Sequence, residues 1–406
     1  MFALENYLYL RYCNSQYLRK LKGKFMELRN VVIVDYGRSP ISKAKGGALN
    51  QLTSLEIGSQ VIAKLLERND KLPKDQVELV AVGCAFPEAE NGLNVGRAMV
   101  IKSGLPSSVA GITVNQFCAS SQQTLMVVAD AIACGKGDIG IAAGIEHMVR
   151  VPMGGYNPSY DKELNDKNFY IGMGDTAENL AKDLDISRED QEQFAINSHE
   201  KALKAWNENA FSSEVIPIAL PDGSTFDRDE CMKEPNAEKI KSLKPAFQAD
   251  GTVTAATSSP VSSGAAAIIL MSEDKAKELG LKIRAYVKTT AVAGCDHERM
   301  GMGPLPATEK ALKRAGMQLD DIDVIELNEA FAAQSLYVIR EGNWPMEKIN
   351  VLGGAIALGH PLGMSGARII GTAITALEKL DKKYALATMC VGGGQGAATI
   401  LERRSE

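Results

Sequence analysis

Blocks of apolar and polar positions alternate along the chain from residue 30 onward, and they predict strands and helices in turn. The β-branched run at residues 31–34 and the apolar run at residues 78–83 are typical of buried strands, and residues 54–67 between them have a helical pattern. Strands that alternate with helices of this length indicate parallel strands joined by crossover helices. The predicted fold class is therefore α/β, with a layered architecture.

A second series of elements repeats the first in the same order. Each series has a charged amphipathic helix, a turn with an acidic residue and a buried strand, followed by a polar turn that opens a second helix before another strand. The first series comprises residues 64–68, 74–82, 118–121 and 139–143, and the second comprises residues 310–314, 320–327, 363–366 and 384–389. Any two βα units look alike, but four elements in one order favour a duplicated half-domain over coincidence.

The region between the two series has a different composition and predicts an insertion. Residues 151–250 are charged, with interspersed proline, glycine and asparagine, and they include a helical stretch at residues 188–206. The predicted domains are listed here in chain order: an N-terminal extension at 1–28, a first half at 29–150 completed by about 251–280, a loop domain at 151–250, and a second half at 281–406.

The first 25 residues are rich in tyrosine and basic, with Glu5 as their single acid. Two interpretations stay open: a targeting segment, or a non-functional extension that precedes a start at Met26. The short apolar blocks do not form a convincing secretory signal, which favours the second interpretation.

Composition restricts the classes of function. Apolar residues make up 45% of the 406 residues and charged residues 23%, as in globular proteins of two or three packed units. The formal net charge of −5, without a basic stripe, argues against nucleic-acid binding. The sequence has no run of about eighteen apolar residues, which argues against a membrane span. The seven cysteines are scattered without metal-ligand spacing, so we expect neither a disulfide framework nor a zinc site, but reduced thiols in the cytoplasm.

Two residues have the chemistry of a nucleophile and its base. Cys118 precedes an apolar helix, where backbone N–H groups and the helix dipole favour a thiolate. Taken alone, a cysteine in this setting is more often a core residue. His360, in the glycine-rich loop 353–363, can act as the base for such a thiol, or can have a purely structural role.

Two further residues follow buried strands. Cys390 ends the strand 385–389, and the glycines after it have N–H groups that suit an oxyanion site. A dinucleotide-binding loop is the rival interpretation, but the roughly ten residues that remain are too few for the helix, strand and acidic residue that it needs. Asn328 follows the strand 324–327, where its amide can orient a water or a carbonyl group, or can cap a helix.

Together these segments resemble the thiolase family, from about Glu27 to the C-terminus. The family's motifs appear in order: the nucleophilic cysteine loop around Cys118, NEAF at 328–331, GGAIALGHPLG at 353–363 and CVGGGQG at 390–396. Chance agreement over three such long motifs is negligible. The resemblance is closest to the 3-ketoacyl-CoA thiolases of fatty-acid β-oxidation, of the type that forms a subunit of bacterial trifunctional complexes.

The resemblance implies an acyltransferase with ping-pong kinetics. Cys118 would take the acyl group after His360 draws off its proton, and Cys390 would protonate the departing acetyl-CoA enolate. Asn328, through a bound water, and His360 would form one oxyanion hole. The backbone N–H groups of Cys118 and Gly392 would form the other. Neither a metal nor a redox cofactor would be needed, and coenzyme A would be a substrate.

The resemblance also implies a five-layer α/β/α/β/α arrangement of two similar halves, with a loop domain that grips coenzyme A. Ser259, Met173 and Lys233 match positions that contact the pantetheine and nucleotide parts of coenzyme A. Family members are dimers or dimers of dimers. A hydratase–dehydrogenase partner subunit is implied by the closest resemblance.

Several positions depart from the family pattern. The family often has Cys-x-Ser-Gly at the nucleophile. In this chain Ser120 is followed by Ser121 and Gln122 instead of glycine, so we expect a reshaped acyl pocket. Ser263 replaces an aspartate. Lys233 replaces an arginine and lacks its bidentate fork, which predicts weaker contact with the nucleotide phosphates. Gly172 replaces a histidine of acetoacetyl-CoA-specific relatives and favours the degradative reaction.

The predicted function is thiolytic cleavage of 3-ketoacyl-CoA to acetyl-CoA and a shortened acyl-CoA. A biosynthetic acetyl-CoA acetyltransferase that makes acetoacetyl-CoA shares every catalytic residue and stays open as the alternative. A third, remote hypothesis is a thioester- or lipid-binding protein that has no catalytic turnover. Such a protein is expected to lack Cys118, His360 or Cys390, and all three are present.

Overall fold

The computed structural model of the protein describes residues 28–404. Apart from Leu28, the predicted N-terminal extension lies outside the described residues. The structure therefore tests neither interpretation of that extension. Between residues 28 and 404, no helix is long and apolar enough to cross a bilayer.

Strands and helices alternate in the first and the second half of the described chain, and shorter elements lie between the two halves. The strands are β1 (Val31–Arg38), β2 (Ser42–Lys43), β3 (Val77–Gly83), β4 (Ala110–Val114), β5 (Ile139–His147), β6 (Ile218–Ala219), β7 (Thr225–Phe226), β8 (Ser262–Ser272), β9 (Ala285–Gly294), β10 (Val324–Leu327), β11 (Tyr384–Val391) and β12 (Gln395–Glu402). The helices are α1 (Ser54–Arg68), α2 (Val95–Lys102), α3 (Ser120–Ala133), α4 (Lys162–Asp166), α5 (Met173–Asp183), α6 (Arg188–Asn207), α7 (Ala237–Lys241), α8 (Glu273–Glu278), α9 (Pro304–Ala315), α10 (Ala332–Glu341), α11 (Ala355–Leu358) and α12 (Leu362–Leu380).

The strand order is the same in the two halves. The first half runs β4-β3-β5-β8-β1, and the second runs β10-β11-β12-β9, with a parallel bridge between Ile325 and Ile349 in the place of β4. The halves join where β1 pairs with β9 through Val32–Tyr286 and Ile33–Ala285. This repeated topology confirms the duplication that the sequence predicts.

The strands are only partly parallel, so the prediction of parallel strands throughout was wrong. Parallel pairing joins β3 to β4 and β5, and β10 to β11, whereas β8, β1, β12 and β9 pair antiparallel with their neighbours. The reason is a hairpin in each half. In the second half a short glycine turn joins β11 to β12. In the first half β5 and β8 pair in the same way, and residues 148–261 lie between them.

The insertion therefore occupies the place that the glycine turn has in the second half. It contains β6, β7 and the helices α4 to α7. Since the strands on either side of it are paired over their whole length, the insertion leaves and re-enters the first half at one edge of the sheet. That edge is the carboxyl end of β5, where parallel strands of an α/β sheet present their functional groups.

Buried apolar residues form three clusters that separate the layers. One lies between the two halves of the ten-stranded sheet and includes α3 and α12, with Leu125 and Ile370 among its members. The second packs α1 and α2 on the outer face of the first sheet, and the third packs α9 and α10 on the outer face of the second. Outer helices, sheet, central helices, sheet and outer helices make the five-layer arrangement that the resemblance implies. The helix α12 is buried from Leu362 to Leu377, and it carries Arg368, Thr372 and Thr375 into this interior among mostly apolar side chains.

Candidate active site

Cys118 lies in a tight turn between β4 and α3. It occupies the single 3₁₀ turn Phe117–Ala119, and α3 begins at the next residue. Phe117 has a φ of 43°, an unfavourable value for a residue with a bulky side chain. The Ser120 hydroxyl stabilises the turn, because it donates to the Phe117 carbonyl at 2.6 Å and accepts from the Gln116 N–H at 2.9 Å. The turn is thus held in a strained form that presents the thiol at the start of α3.

The thiol of Cys118 is neutral at rest, contrary to the prediction of a thiolate. Burial raises its pKa to about 11, and Glu146 adds to this rise. The backbone N–H groups of Gly392 and of Cys118 itself lower the pKa, as predicted for a helix start, but burial outweighs them. The side chain is 8% exposed. Without a base, this sulfur therefore stays protonated near neutral pH.

His360 is held on a loop between α11 and α12. Gly359 has a φ of 111°, which only glycine adopts without strain, and this sets the direction of the loop. The His360 N–H donates to Ser262 Oγ at 3.0 Å. His360 Nδ1 lies 2.6 Å from Ser365 Oγ, and the Ser365 hydroxyl donates to the Pro361 carbonyl at 2.8 Å.

These contacts determine the state of the imidazole. Because the Ser365 proton goes to Pro361, Nδ1 carries the ring proton and donates it to Ser365, which leaves Nε2 as an acceptor. Burial lowers the pKa of His360 to about 3, and the charge of Arg368 acts in the same direction. The ring is therefore neutral, with one nitrogen free to take a proton.

Asn328 directs its amide toward that nitrogen. It follows β10, and its backbone N–H donates to the Thr388 carbonyl on β11 at 3.0 Å. Its Nδ2 lies 3.3 Å from His360 Nε2. The helix-cap interpretation is wrong, since α10 begins at Ala332 with Phe331 as its N-cap. The Oδ1 of Asn328 is buried without a partner among the described residues, so this amide has an unused acceptor.

Cys390 lies near the end of β11, beside the nucleophile. It is fully buried. The strand β11 packs against the turn Phe117–Ala119 that carries Cys118. Burial raises the pKa of Cys390 well above the ordinary value, and the negative charge of an ionised Cys118 raises it further. The segment after Cys390 is the hairpin turn between β11 and β12, with Gly393 and Gly394 at φ of 78° and 82°. A hairpin cannot cradle a dinucleotide, so that rival interpretation was wrong.

The four residues fall into two groups. Cys118, from the first half, lies with Cys390 and Gly392 of the second, while His360 lies with Asn328. Among the hydrogen bonds of residues 28–404, none joins the Cys118 sulfur to His360. The nitrogen that would accept the thiol proton is occupied by the Asn328 amide at 3.3 Å, so direct contact requires a movement of one side chain.

The three residues predicted to contact coenzyme A lie at different distances from the thiols. Met173 begins α5, and its sulfur lies against Gly392, beside the nucleophile. Ser259 is half-buried and donates its N–H to the Ala330 carbonyl in the NEAF segment, at 3.0 Å. Lys233 is exposed and lies close to His199 of α6, where its charge adds to the effect of burial and lowers the imidazole pKa to about 4.

The two departures near the nucleophile have different consequences. Gln122 is fully buried, but its Nε2 donates to the Ala387 carbonyl at 3.0 Å and to Thr399 Oγ1 at 2.9 Å. This residue therefore ties α3 to the second sheet instead of lining a pocket. Ser263, where the family has aspartate, lies 3.0 Å from His147 Nδ1, so a neutral pair is buried there.

Sequence reasoning missed three residues that position the site. Ser365 orients His360, and a hydroxyl in the first turn of the helix after that histidine was the available signal. Glu329 accepts from Asn350 Nδ2 at 2.8 Å and from the Ile356 N–H at 3.1 Å, and so holds the loop before His360. Glu146 stands as the one acid in the otherwise apolar strand IGIAAGIEH.

Comparison with known proteins agrees with this geometry. The family model for the thiolase N-terminal domain matches residues 31–274, and that for the C-terminal domain matches residues 281–403. The chain belongs to the thiolase family. It is 46% identical over 388 residues to the 3-ketoacyl-CoA thiolase of Vibrio vulnificus, which covers 93% of this chain and 100% of the relative. The 3-ketoacyl-CoA thiolase of Idiomarina loihiensis is also 46% identical, over 391 residues, with the same coverage.

Solved thiolase structures share the fold. Human mitochondrial 3-ketoacyl-CoA thiolase superposes with a TM-score of 0.87 at 34% identity, over 94% of this chain and 100% of that one. The Bacillus anthracis acetyl-CoA acetyltransferase superposes with a TM-score of 0.85 at 36% identity, over 93% and 100%. The structural likeness thus extends to a 3-ketoacyl-CoA thiolase and to an acetyl-CoA acetyltransferase.

Proposed function

We propose that this chain is an acyltransferase that cleaves 3-ketoacyl-CoA with coenzyme A, releasing acetyl-CoA and an acyl-CoA shortened by two carbons. The observation that carries the proposal is a pair of buried thiols from the two halves: Cys118 lies on the turn Phe117–Ala119, and Cys390 lies on the strand β11 that packs against this turn. The names and identity of the bacterial relatives support the choice of substrate class.

In the first half-reaction, His360 Nε2 takes the proton of Cys118, and the sulfur attacks the 3-keto carbon. The bond between carbons 2 and 3 then breaks, and its electron pair stays on carbon 2 of the departing acetyl-CoA. Cys390 gives its proton to that carbon and becomes a thiolate. The neutral state of His360 and the protonated state of Cys390 suit these roles.

In the second half-reaction, coenzyme A gives its thiol proton to Cys390 and attacks the acyl group on Cys118. The Cys118 sulfur leaves and recovers the proton held by His360, which completes the cycle without a metal or redox cofactor. The N–H groups of Gly392 and Cys118 point at the sulfur, and we assign them to stabilise the thioester oxygen as it becomes an oxyanion. Asn328 and His360 are assigned to the oxygen of the departing enolate.

For coenzyme A itself, we assign the pantetheine arm to the channel beside Met173 and Ser259, and the nucleotide phosphates to Lys233. Met173 begins a helix of the insertion and touches the glycine turn next to Cys118, so a thiol that passes it arrives at the nucleophile. The domain division predicted from the sequence, with the insertion as the coenzyme A clamp, is part of this proposal.

The cellular setting is part of the same proposal. We assign the protein to fatty-acid β-oxidation in the cytoplasm, as a homodimer or homotetramer that can take a hydratase–dehydrogenase partner. The described cysteines are all free thiols, which suits a reducing compartment. Among the described strands, β4 is the free edge of the first half, with residues exposed or half-buried, so it offers a surface for a second copy.

The alternative function is the biosynthetic one, condensation of two acetyl-CoA molecules to acetoacetyl-CoA. The structural likeness to an acetyl-CoA acetyltransferase supports it. The two functions differ in chain-length preference. We expect kcat/KM for thiolysis of 3-ketohexadecanoyl-CoA to exceed that for acetoacetyl-CoA. A preference for acetoacetyl-CoA assigns the biosynthetic function instead, and no thiolysis of either substrate by the full chain rejects both.

A further inference from the structure

A buried carboxylate joins the two halves beside the active site. Glu146 is fully buried near the end of β5, on the face of the first sheet that α3 and α12 cover. Its Oε2 accepts from the Ala85 N–H at 2.8 Å, after β3, and from the Gly363 N–H at 2.9 Å, in the first turn of α12. Its Oε1 lies 3.7 Å from the thiol of Cys84. Two of these partners, Cys84 and Ala85, belong to the first half, and the third, Gly363, belongs to the second half.

The Gly363 contact supplies what α12 lacks. The N-cap of α12 is Pro361, which provides no side-chain acceptor, so the first N–H groups of this helix need partners from elsewhere. Glu146 is such a partner, and a negative charge at a helix N-terminus is favourable. Burial raises the pKa of Glu146 to about 7 and outweighs the N–H groups of Ala85 and Gly363, which lower it, so the charge is partly present at neutral pH. Since His360 immediately precedes Pro361, whatever holds the start of α12 also holds the base.

The packing around Gly363 leaves no space for a side chain. A Cβ at this position would collide with the Ile145 carbonyl oxygen and crowd Gly83 and Cys84. The start of α12 is therefore in backbone contact with the ends of both β3 and β5. Glu146 adds hydrogen bonds to this contact, because it accepts from the N–H groups of Ala85 and Gly363.

We propose that Glu146 is a positioning residue that caps α12 across the junction and thereby sets the place of His360 relative to Cys118. This inference rests on the proposed function. The same carboxylate also acts on the nucleophile, since its charge contributes to the raised pKa of Cys118. The titratable groups on the elements packed around it are Cys84 after β3, Cys118 before α3 and His360 before α12, while Gly264 faces it from β8.

Two substitutions separate the cap from the charge. In Glu146→Gln, the amide oxygen can still accept both N–H groups, but the charge is gone. In Glu146→Ala, both are lost. Glu90→Gln is the matched control, because Glu90 lies in the same half and binds Arg150, away from α12.

The first measurement is the steady-state kinetics of thiolysis by the full chain. We expect Glu146→Ala to lower kcat by about 100-fold with little change in KM, because His360 is misplaced. Glu146→Gln should recover most of this loss, and Glu90→Gln should match the wild type. A kcat of Glu146→Ala equal to that of the wild type overturns the proposal.

The second measurement needs no turnover, so it stands even if the substrate assignment fails. The rate of alkylation of Cys118 by iodoacetamide is followed against pH, with the labelled peptide identified by mass spectrometry. Loss of the nearby negative charge should move the alkylation profile of Glu146→Gln to lower pH, with Glu90→Gln unmoved. If Glu146→Ala does not fold, Glu146→Asp, whose shorter side chain keeps the charge but cannot reach both N–H groups, replaces it in both measurements. A kcat and an alkylation profile both equal to those of the wild type then overturn the proposal.

Discussion

His360 Nδ1 and Ser365 Oγ lie 2.6 Å apart, and this contact fixes which imidazole nitrogen can accept a proton. The residue that orients the base therefore lies on the same helix start that Glu146 caps. Ser365 is buried, and its hydroxyl contacts His360 and the Pro361 carbonyl. The alignment of the base thus depends on a hydroxyl that touches no reacting atom.

Replacement of Ser365 by alanine should lower kcat about 10- to 100-fold and leave KM nearly unchanged, because the imidazole loses its fixed tautomer and orientation. Steady-state thiolysis measures both constants. Ser242→Ala, which removes a hydroxyl from exposed α7, is the control. Equal kcat values in Ser365→Ala and wild type would show that the ring is oriented by other contacts.

Replacement of Cys118 by serine should abolish thiolysis, with a loss of at least about a thousandfold, since a hydroxyl is a much weaker nucleophile than the thiolate that His360 generates. Incubation of the wild type with acetyl-CoA should add an acetyl group to the peptide that contains Cys118. Intact-mass and peptide mass spectrometry detect it. Full activity of the variant would refute the covalent mechanism.

Replacement of Cys390 by alanine should separate the two kinds of chemistry. Carbon–carbon cleavage should fall by about 100- to 10,000-fold, because the acid that protonates the enolate is missing. Acetylation of Cys118 by acetyl-CoA breaks no carbon–carbon bond, and coenzyme A can leave as a thiolate without a proton from Cys390, so this reaction should fall far less. Loss of both reactions to the same degree would mean that Cys390 supports the site as a whole.

Replacement of Lys233 by alanine should raise KM for coenzyme A several-fold without affecting kcat, since an exposed lysine meets a phosphate as a point charge. Lys233→Arg should lower KM below the wild-type value by restoring the bidentate fork. The effect should weaken as salt is added. An unchanged KM in Lys233→Ala would sink the assignment of the nucleotide site.

The stability of the fold should decrease in acid partly through His199. Its pKa is lowered by burial, and then by Lys233, to about 4, whereas an unfolded histidine takes a proton near pH 6.5. Between these values the unfolded chain binds the proton and the folded chain does not. The folded state therefore loses stability as pH falls from about 6.5 to 4, by roughly 2–3 kcal/mol for a shift of this size.

Urea unfolding of wild type and His199→Leu at pH 7 and pH 4.5 measures this contribution. The free energy of unfolding should fall less in the variant than in the wild type between the two values. An equal fall in both proteins would assign the acid sensitivity to other groups, such as buried His360.

The sequence predicted most of the elements and the duplication, because apolar runs and helix patterns are local. Strand 324–327 has the predicted bounds, and β1 and β5 are only longer at their ends. The antiparallel partners could not be predicted, since β5 and β8 are separated by the whole insertion. The local sequence of β5 and of β8 does not indicate that these two strands pair antiparallel with each other.

For the site, motif resemblance located Cys118, His360, Asn328 and Cys390, but not their protonation states. The pKa of Cys118 depends on burial under two sheets, which outweighs the helix start that the sequence reveals. The role of Glu146 could not be predicted because its partner Gly363 lies 217 positions away, in the other half. Long-range backbone contacts leave no pattern in a single sequence.

The two halves carry different residues in the segment that opens the central helix. In the first half Cys118 lies two residues before α3, and in the second half Gly363, with no room for a side chain, is the second residue of α12. A symmetric dimer of half-length chains, encoded by one gene, would carry the same residues in both copies. Two halves in one chain are free of that identity, so one can carry a thiol while the other carries no side chain where it packs against the ends of β3 and β5.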